Sequence, residues 1–194
     1  MSEWFEPAAE AQPRTPIVAV QFRLTSPAFA DLGRLPERFG TLGANVSPPL
    51  AWSEPPMAAR ELAVVLEERS GVRWLNDAFA FAEGTEPTTR WLGWGLPAGG
   101  GHLHEGEQPP ILGTNDLGGA GYSGPDAART TGLGSRVTRA VRFSVLALDA
   151  PLVLTTGADR AAFDAQIQGH VVATATMLAR YERDTGLKAI LRRR

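Results

Sequence analysis

The sequence predicts a mainly-β or α+β domain, on three observations. Turn formers are dense, with 21 glycines and 15 prolines, a composition that suits short strands joined by turns better than long helices. Apolar residues fall in short runs closed off by polar ones, the pattern of buried strands. A long amphipathic stripe occurs once, near the C-terminal end. Strands first and a helix last argue against a doubly wound sheet.

The elements follow in chain order. Residues up to about Pro16 form a loose leader, acidic at Glu3, Glu6 and Glu10. Ile17 to Leu24 alternates loosely and reads as a first strand. Thr25 to Trp52 is a long ordered loop, because Gly33, Pro36, Gly43, Pro48 and Pro49 interrupt any regular element. Glu61 to Leu66 (ELAVVL) is a buried strand, Trp91 to Leu96 a second one ended by Pro97, and Val141 to Leu148 (VRFSVLAL) a third stopped by Asp149 and Pro151. From Asp159 to Arg183 the apolar residues Phe163, Ile167, Val171, Ala175, Leu178 and Tyr181 recur at spacings of three and four. That stripe predicts a helix over about 160–183 lying on a sheet. A shorter helix that stops before His170, with Gly169 as the break, is the alternative.

Size and charge narrow the function classes. A chain of 194 residues with 43% hydrophobic content suits one domain with a substantial core. The formal net charge of -2 leaves no electrostatic footprint for nucleic acid, and Arg192, Arg193 and Arg194 make only a short basic end. There is no cysteine, which removes disulfides, thiolate catalysis and thiolate metal sites. No apolar leader and no run of about 20 apolar residues is present, so a cytoplasmic location without transmembrane segments is expected.

Two stretches carry a family resemblance. Ser26 to Trp52 reads SPAFADLGRLPERFGTLGANVSPPLAW, and Gly113 to Pro125 reads GTNDLGGAGYSGP. Both resemble the phosphatidylethanolamine-binding protein family, in its bacterial Raf kinase inhibitor-like branch. FSVLALDAPL at 143–152 and GHVVATATMLARY at 169–181 resemble that family's last long strand and closing helix. The resemblance covers residues 17–183, between a leader at 1–16 and a tail at 184–194. It implies a central antiparallel sheet flanked by a smaller sheet and a C-terminal helix. It also implies a shallow pocket for anions such as phosphate or phospholipid head groups. In the family that pocket is built from an Asp-Pro-Asp-x-Pro segment, a His-Trp pair, a Gly-Tyr-x-Gly-Pro loop and a histidine at the start of a strand.

Here the pocket departs from the family. After ELAVVL the chain has Glu68, Arg69, Ser70, Gly71 and Val72, so Glu68 stands for the first aspartate and Ser70 for the second. The His-Trp pair becomes Arg90-Trp91, and the strand-start histidine falls on Arg139. Tyr122, Gly124 and Pro125 are kept, followed by Asp126. Both imidazoles have become guanidinium groups, which cannot pass a proton at neutral pH but present a fixed positive fork to carboxylate or phosphate. The alternative has Arg90 and Arg139 facing solvent and pairing with Glu68 or Asp126. The 67–90 connection is also longer than the family's and carries Trp74, Leu75, Phe79 and Phe81, either a lid over the pocket or an added hairpin with its own small core.

Other constellations carry less. His102-Leu103-His104-Glu105 sits in a Gly-rich loop without an evident third ligand, so no metal is assigned, and His170 reads as a helix residue making a structural hydrogen bond. Gly99 to Gly101 and Gly118-Gly119 lack the context of phosphate loops. Ser26, Ser47 and Ser123 lack a nucleophile elbow.

Two functions remain. One is a binding module for a small anionic or amphipathic ligand, using Arg90, Arg139, Tyr122, Trp91, Gly124 and Pro125 with Trp74, Phe79 and Phe81 as the apolar lid. The other is a cofactor-free cyclase or isomerase of specialised metabolism, with Tyr122, Glu68 and Asp126 as acid–base groups. No cofactor is expected in either case, the partner is a small molecule, and a homodimer stays open.

Overall fold

The computed structural model describes residues 21–69, 73–75, 78–80, 86–126 and 137–183. The strands are β1 (Leu24–Thr25), β2 (Gly33–Arg34), β3 (Leu50–Trp52), β4 (Glu61–Arg69), β5 (Arg73–Leu75), β6 (Ala78–Ala80), β7 (Thr88–Pro97), β8 (Gly101–Leu103), β9 (Ile111–Leu112), β10 (Val137–Leu148) and β11 (Val171–Arg183). Among the described residues a 3-10 turn spans Glu37–Phe39 and one α-helix, α1, spans Arg160–Ile167. A six-stranded sheet runs β2-β11-β10-β4-β7-β9, antiparallel except where β2 joins β11. A three-stranded sheet runs β1-β3-β8, and β5 pairs with β6. The mainly-β class with a central sheet, a smaller flanking sheet and a helix late in the chain is therefore observed.

Both faces of the large sheet are covered. Leu24, Leu50, Trp52 and Leu103 of the small sheet pack with Leu62, Val64, Leu66, Phe143 and Met177 on one face. On the other, Phe163 of α1 packs with Ala63, Val65, Leu92, Trp94 and Leu148. This explains why ELAVVL has no polar alternation: a strand buried on two sides reads as a continuous apolar run. Helix α1 begins at Asp159, whose carboxylate accepts the Ala162 N–H at 2.8 Å, an N-cap.

The long helix is corrected. It ends at Ile167, Gly169 takes a left-handed φ of 81°, and residues 171–183 form β11, paired with β10 from Leu148↔Val171 to Val137↔Arg183. The closing-helix resemblance of GHVVATATMLARY falls with it, and a strand closes the described chain. Two periodicities competed in this segment. Ala173, Ala175, Met177, Ala179 and Tyr181 alternate onto the core face, while β-branched Val171, Val172, Thr174 and Thr176 favour extended backbone. The long edge of β10 settles the choice, since pairing there satisfies the backbone of both strands. Leu178 points to the face opposite Ala175. His170 lies in the turn before β11, not in a helix, and its Nδ1 sits 2.8 Å from Asp149 Oδ1.

Smaller expectations shift as well. Of the first strand expected over Ile17 to Leu24, residues 17–20 lie outside the described residues, 21–23 are irregular, and β1 begins at Leu24. The 25–52 loop contains β2, the 3-10 turn and β3. In the long connection Trp74 and Phe79 are register partners of the β5–β6 hairpin. Phe81 lies outside the described residues.

Candidate functional site

The site forms where β4 ends. Between β4 and β7 the register steps from Leu66↔Trp91 to Glu67↔Thr89, so Arg90 is an extra residue in a β-bulge. Bulges re-aim a side chain, and here the guanidinium reaches Glu68, with Nη2 2.6 Å from Oε2. Arg139, near the start of β10, places Nε 3.1 Å from the other carboxylate oxygen and donates to the Asp126 carbonyl at 3.0 Å. The Asp126 N–H donates to Glu68 Oε2 at 3.3 Å. The Glu68 and Arg90 side chains are 6% and 9% exposed and that of Arg139 21%, so Arg139 stands on the solvent side of a buried cluster. Two guanidiniums against one carboxylate leave one positive charge.

The 121–126 loop forms the second wall. Tyr122 donates its hydroxyl to the Phe39 carbonyl at 2.7 Å and meets the Trp91 ring edge-on at 5.4 Å. Ser123 N donates to the Arg90 carbonyl at 2.8 Å, and Gly124 N to Asn45 Oδ1 at 2.7 Å. Thr41 N donates to the Pro125 carbonyl. Gly124 is glycine for a steric reason, because a Cβ there would lie 1.9 Å from the Phe39 oxygen. Tyr181 adjoins this wall, in register with Arg139 and against Gly40, where a Cβ would meet its hydroxyl at 2.0 Å. Sequence reasoning missed Tyr181 as a site neighbour because it was read onto a helix; the alternation of 173–181 was the available signal.

These contacts bear on chemistry. Burial pushes the Tyr122 phenol far above its usual range, with Tyr181 adding to the shift and Arg90 opposing it. Its proton is already given to a carbonyl, which removes it as an acid–base group near neutral pH. Burial also pushes the Glu68 carboxyl up, against the pull of Arg90 and Arg139, and both its oxygens are occupied. Asp126 joins through its backbone. Trp91 is wholly buried and packs in the core, so it supports Tyr122 instead of facing a ligand. Among the described residues the buried Arg90 Nε, Trp91 Nε1 and Thr41 Oγ1 find no hydrogen-bond partner.

The opposite face of β4 repeats the motif. Glu67 accepts from Arg142 Nε at 2.8 Å and also from its Nη2, and from Arg160 Nη1 of α1 at 3.0 Å. Burial alone would raise this carboxyl, yet Arg142 and Arg160 hold it below the ordinary carboxylate range. A cavity of about 140 Å³, lined by Glu67, Arg69, Ala140, Val141, Arg142 and Leu178, opens on this side. The sequence signal was there to find: adjacent residues of a strand face opposite ways, so Glu67 and Glu68 needed separate partners. A depressed folded-state value means that Glu67 contributes stability above the ordinary carboxylate pKa and loses it as pH falls through the depressed one. Glu67→Gln is therefore expected to flatten the acid limb of a stability-against-pH curve, measured by urea unfolding between pH 7 and pH 3. An unchanged limb would show that Glu67 is not held ionised.

Comparison with known proteins agrees with this architecture. The sequence profile described as "Phosphatidylethanolamine-binding protein" matches residues 25–182. A UPF0098 protein of Methanothermobacter thermautotrophicus is 30% identical over 167 residues, covering 82% of this chain and 98% of that protein. LppC of Mycobacterium tuberculosis, named as a candidate lipoprotein, is 34% identical over 154 residues, covering 78% of this chain but only 64% of its own length. The solved structure of CT736 from Chlamydia trachomatis, titled a candidate homologue of the same family, superposes with a TM-score of 0.69 at 26% identity, covering 84% of this chain and 99% of that one. No helix among the described residues is long and apolar enough to cross a membrane.

Proposed function

The chain belongs to the phosphatidylethanolamine-binding protein family, and from that premise we propose that it binds a small anionic or amphipathic ligand at Arg90, Arg139 and Tyr122, with Glu68 as the internal carboxylate that the ligand competes against. The observation that carries this reading is the buried cluster's surplus of positive charge and donors: two guanidiniums share one carboxylate, and Arg90 Nε lies buried without a partner among the described residues. An oxyanion entering beside Glu68 supplies an acceptor for that donor, and a guanidinium fork suits it. Gly124 and Pro125 form the wall, and the side chains of Trp74, Phe79 and Phe81, expected from the sequence to act as an apolar lid, lie outside the described residues. No observation favours the cyclase or isomerase reading, since the Tyr122 proton and both Glu68 oxygens are committed. The cytoplasmic setting is part of the proposal, and cell fractionation tests it against the lipoprotein name of LppC.

Titration with inorganic phosphate and with a short-chain phosphatidylethanolamine tests the site. Arg139→Ala is expected to weaken phosphate binding by about 1.5–3 kcal/mol, the range for a hydrogen bond to a charged group. It should cost about 1 kcal/mol or less in stability, because Arg139 is partly solvated and Glu68 keeps Arg90. Trp74→Ala combined with Phe79→Ala should weaken the phospholipid and spare phosphate. Binding that survives Arg139→Ala and is lost in Arg142→Ala would move the ligand to the cavity on the other face.

A further inference from the structure

Away from the ligand cluster, β8 is an edge strand of the small sheet, and it brings two exposed histidines together. His102 sits on β8 opposite Ala51, and His104 begins the turn that follows. Their Nε2 atoms lie 3.1 Å apart. The ring centroids are 4.5 Å apart, with the planes inclined at 72°. At that Nε2 separation one ring donates its Nε2–H to the other's Nε2, so an incoming cation takes the place of that proton while the donor ring adopts the Nδ1–H tautomer. Imidazoles bound at about 2.0–2.1 Å to one divalent ion hold their nitrogens about 2.9–3.4 Å apart, for angles between square and tetrahedral. The observed spacing falls inside that window.

The pair is also held in place. The Glu107 N–H donates to the His104 carbonyl at 3.0 Å, and Gly106 between them takes a φ of 79°, which this tight turn requires. Buried Ser47 ties the turn down: its hydroxyl donates to the Glu107 carbonyl and its own backbone carbonyl accepts the Gly106 N–H. The Glu107 carboxylate is fixed on the His104 N–H at 2.7 Å, and Glu105 pairs with Arg38 at 2.7 Å. Neither acid crosses over to engage the two rings.

We propose that His102 and His104 form a two-imidazole chelating site for a late first-row divalent cation. Neutral imidazoles suit copper, nickel and zinc, and copper(II) should bind most tightly in the usual order of affinities. Among the described residues no set of three His, Cys, Asp or Glu side chains gathers around one ion, so water fills the other positions and the ion can exchange.

The test uses the untagged full chain, titrated with nickel(II) and copper(II) and followed by calorimetry and histidine NMR resonances. One ion per chain is expected, with the His102 and His104 signals broadened. His102→Ala or His104→Ala should each weaken binding about tenfold or more, since one remaining imidazole loses the chelate advantage. His170→Ala, at the chain's third histidine, should leave binding intact because that ring is engaged with Asp149. Absent binding, binding that ignores His102 and His104, or binding lost equally in His170→Ala would overturn the assignment.

Discussion

Gly124→Ala should lower stability by about 3 kcal/mol or more, the upper end of what overpacking costs. The added Cβ would lie 1.9 Å from the Phe39 oxygen, 2.8 Å from Gly40 Cα and 2.9 Å from the Phe39 carbonyl carbon. All three are backbone atoms, so no rotamer change relieves the clash. The Phe39 ring is wholly buried, and the 3-10 turn cannot retreat without dragging that ring through the core. Moving the Phe39 carbonyl also removes the acceptor of the Tyr122 hydroxyl, a further loss of roughly 1 kcal/mol. For a chain of this size about 3 kcal/mol lowers Tm by roughly 6–12 °C, which circular dichroism resolves. Gly99→Ala is the control, since nothing lies within 4 Å of its added Cβ, and it should stay within about 0.5 kcal/mol of wild type. Similar losses in both variants would show that the contact with Phe39 is not what demands glycine at 124.

What was legible in the sequence follows from how local each signal is. ELAVVL declared a strand because burial on two faces leaves an unbroken apolar run, and β4 is that strand. The 160–183 segment misled because Phe163 and Ile167 do lie on a helix, and Ala175 and Tyr181 happened to keep its spacing across a break. Gly169 and the β-branched pairs were the local evidence against continuation, but pairing with β10 is a long-range fact that no window contains. At the site, the meeting of Arg90, Arg139 and Glu68 followed from matching residues to a motif. The bulge that turns Arg90 onto that face did not, because it depends on a register step between two strands. Tyr181 was hidden by the helix error, and Glu67 by its place beside a more conspicuous neighbour. The contact between Gly124 and Phe39 joins segments far apart in the chain, so the glycine could be named beforehand but not explained.

The buried ion pair gives the other large effect. Glu68→Ala is expected to cost about 3–5 kcal/mol, because it strands Arg90 as a charge only 7% exposed. Arg139 can turn toward water and adds little to that penalty. The cost should belong to the stranded charge and not to an intrinsically strong bridge, so Glu68→Leu combined with Arg90→Met should recover most of it. Denaturant unfolding of the two single variants and the double variant separates these cases. A double variant as unstable as the sum of the singles would show that the pair itself holds the loop. Glu68→Gln should be milder than Glu68→Ala, since an amide oxygen can still accept from Arg90. The sign of the pH effect agrees: burial raises the folded-state carboxyl, so its contribution is present below the ordinary carboxylate pKa and is lost as pH rises through the raised value. Removing the carboxylate's charge also leaves both guanidiniums to an incoming anion, so Glu68→Gln should bind phosphate more tightly than wild type. Weaker phosphate binding in that variant would mean that Glu68 belongs to the ligand's own contacts and does not compete with it for Arg90 and Arg139.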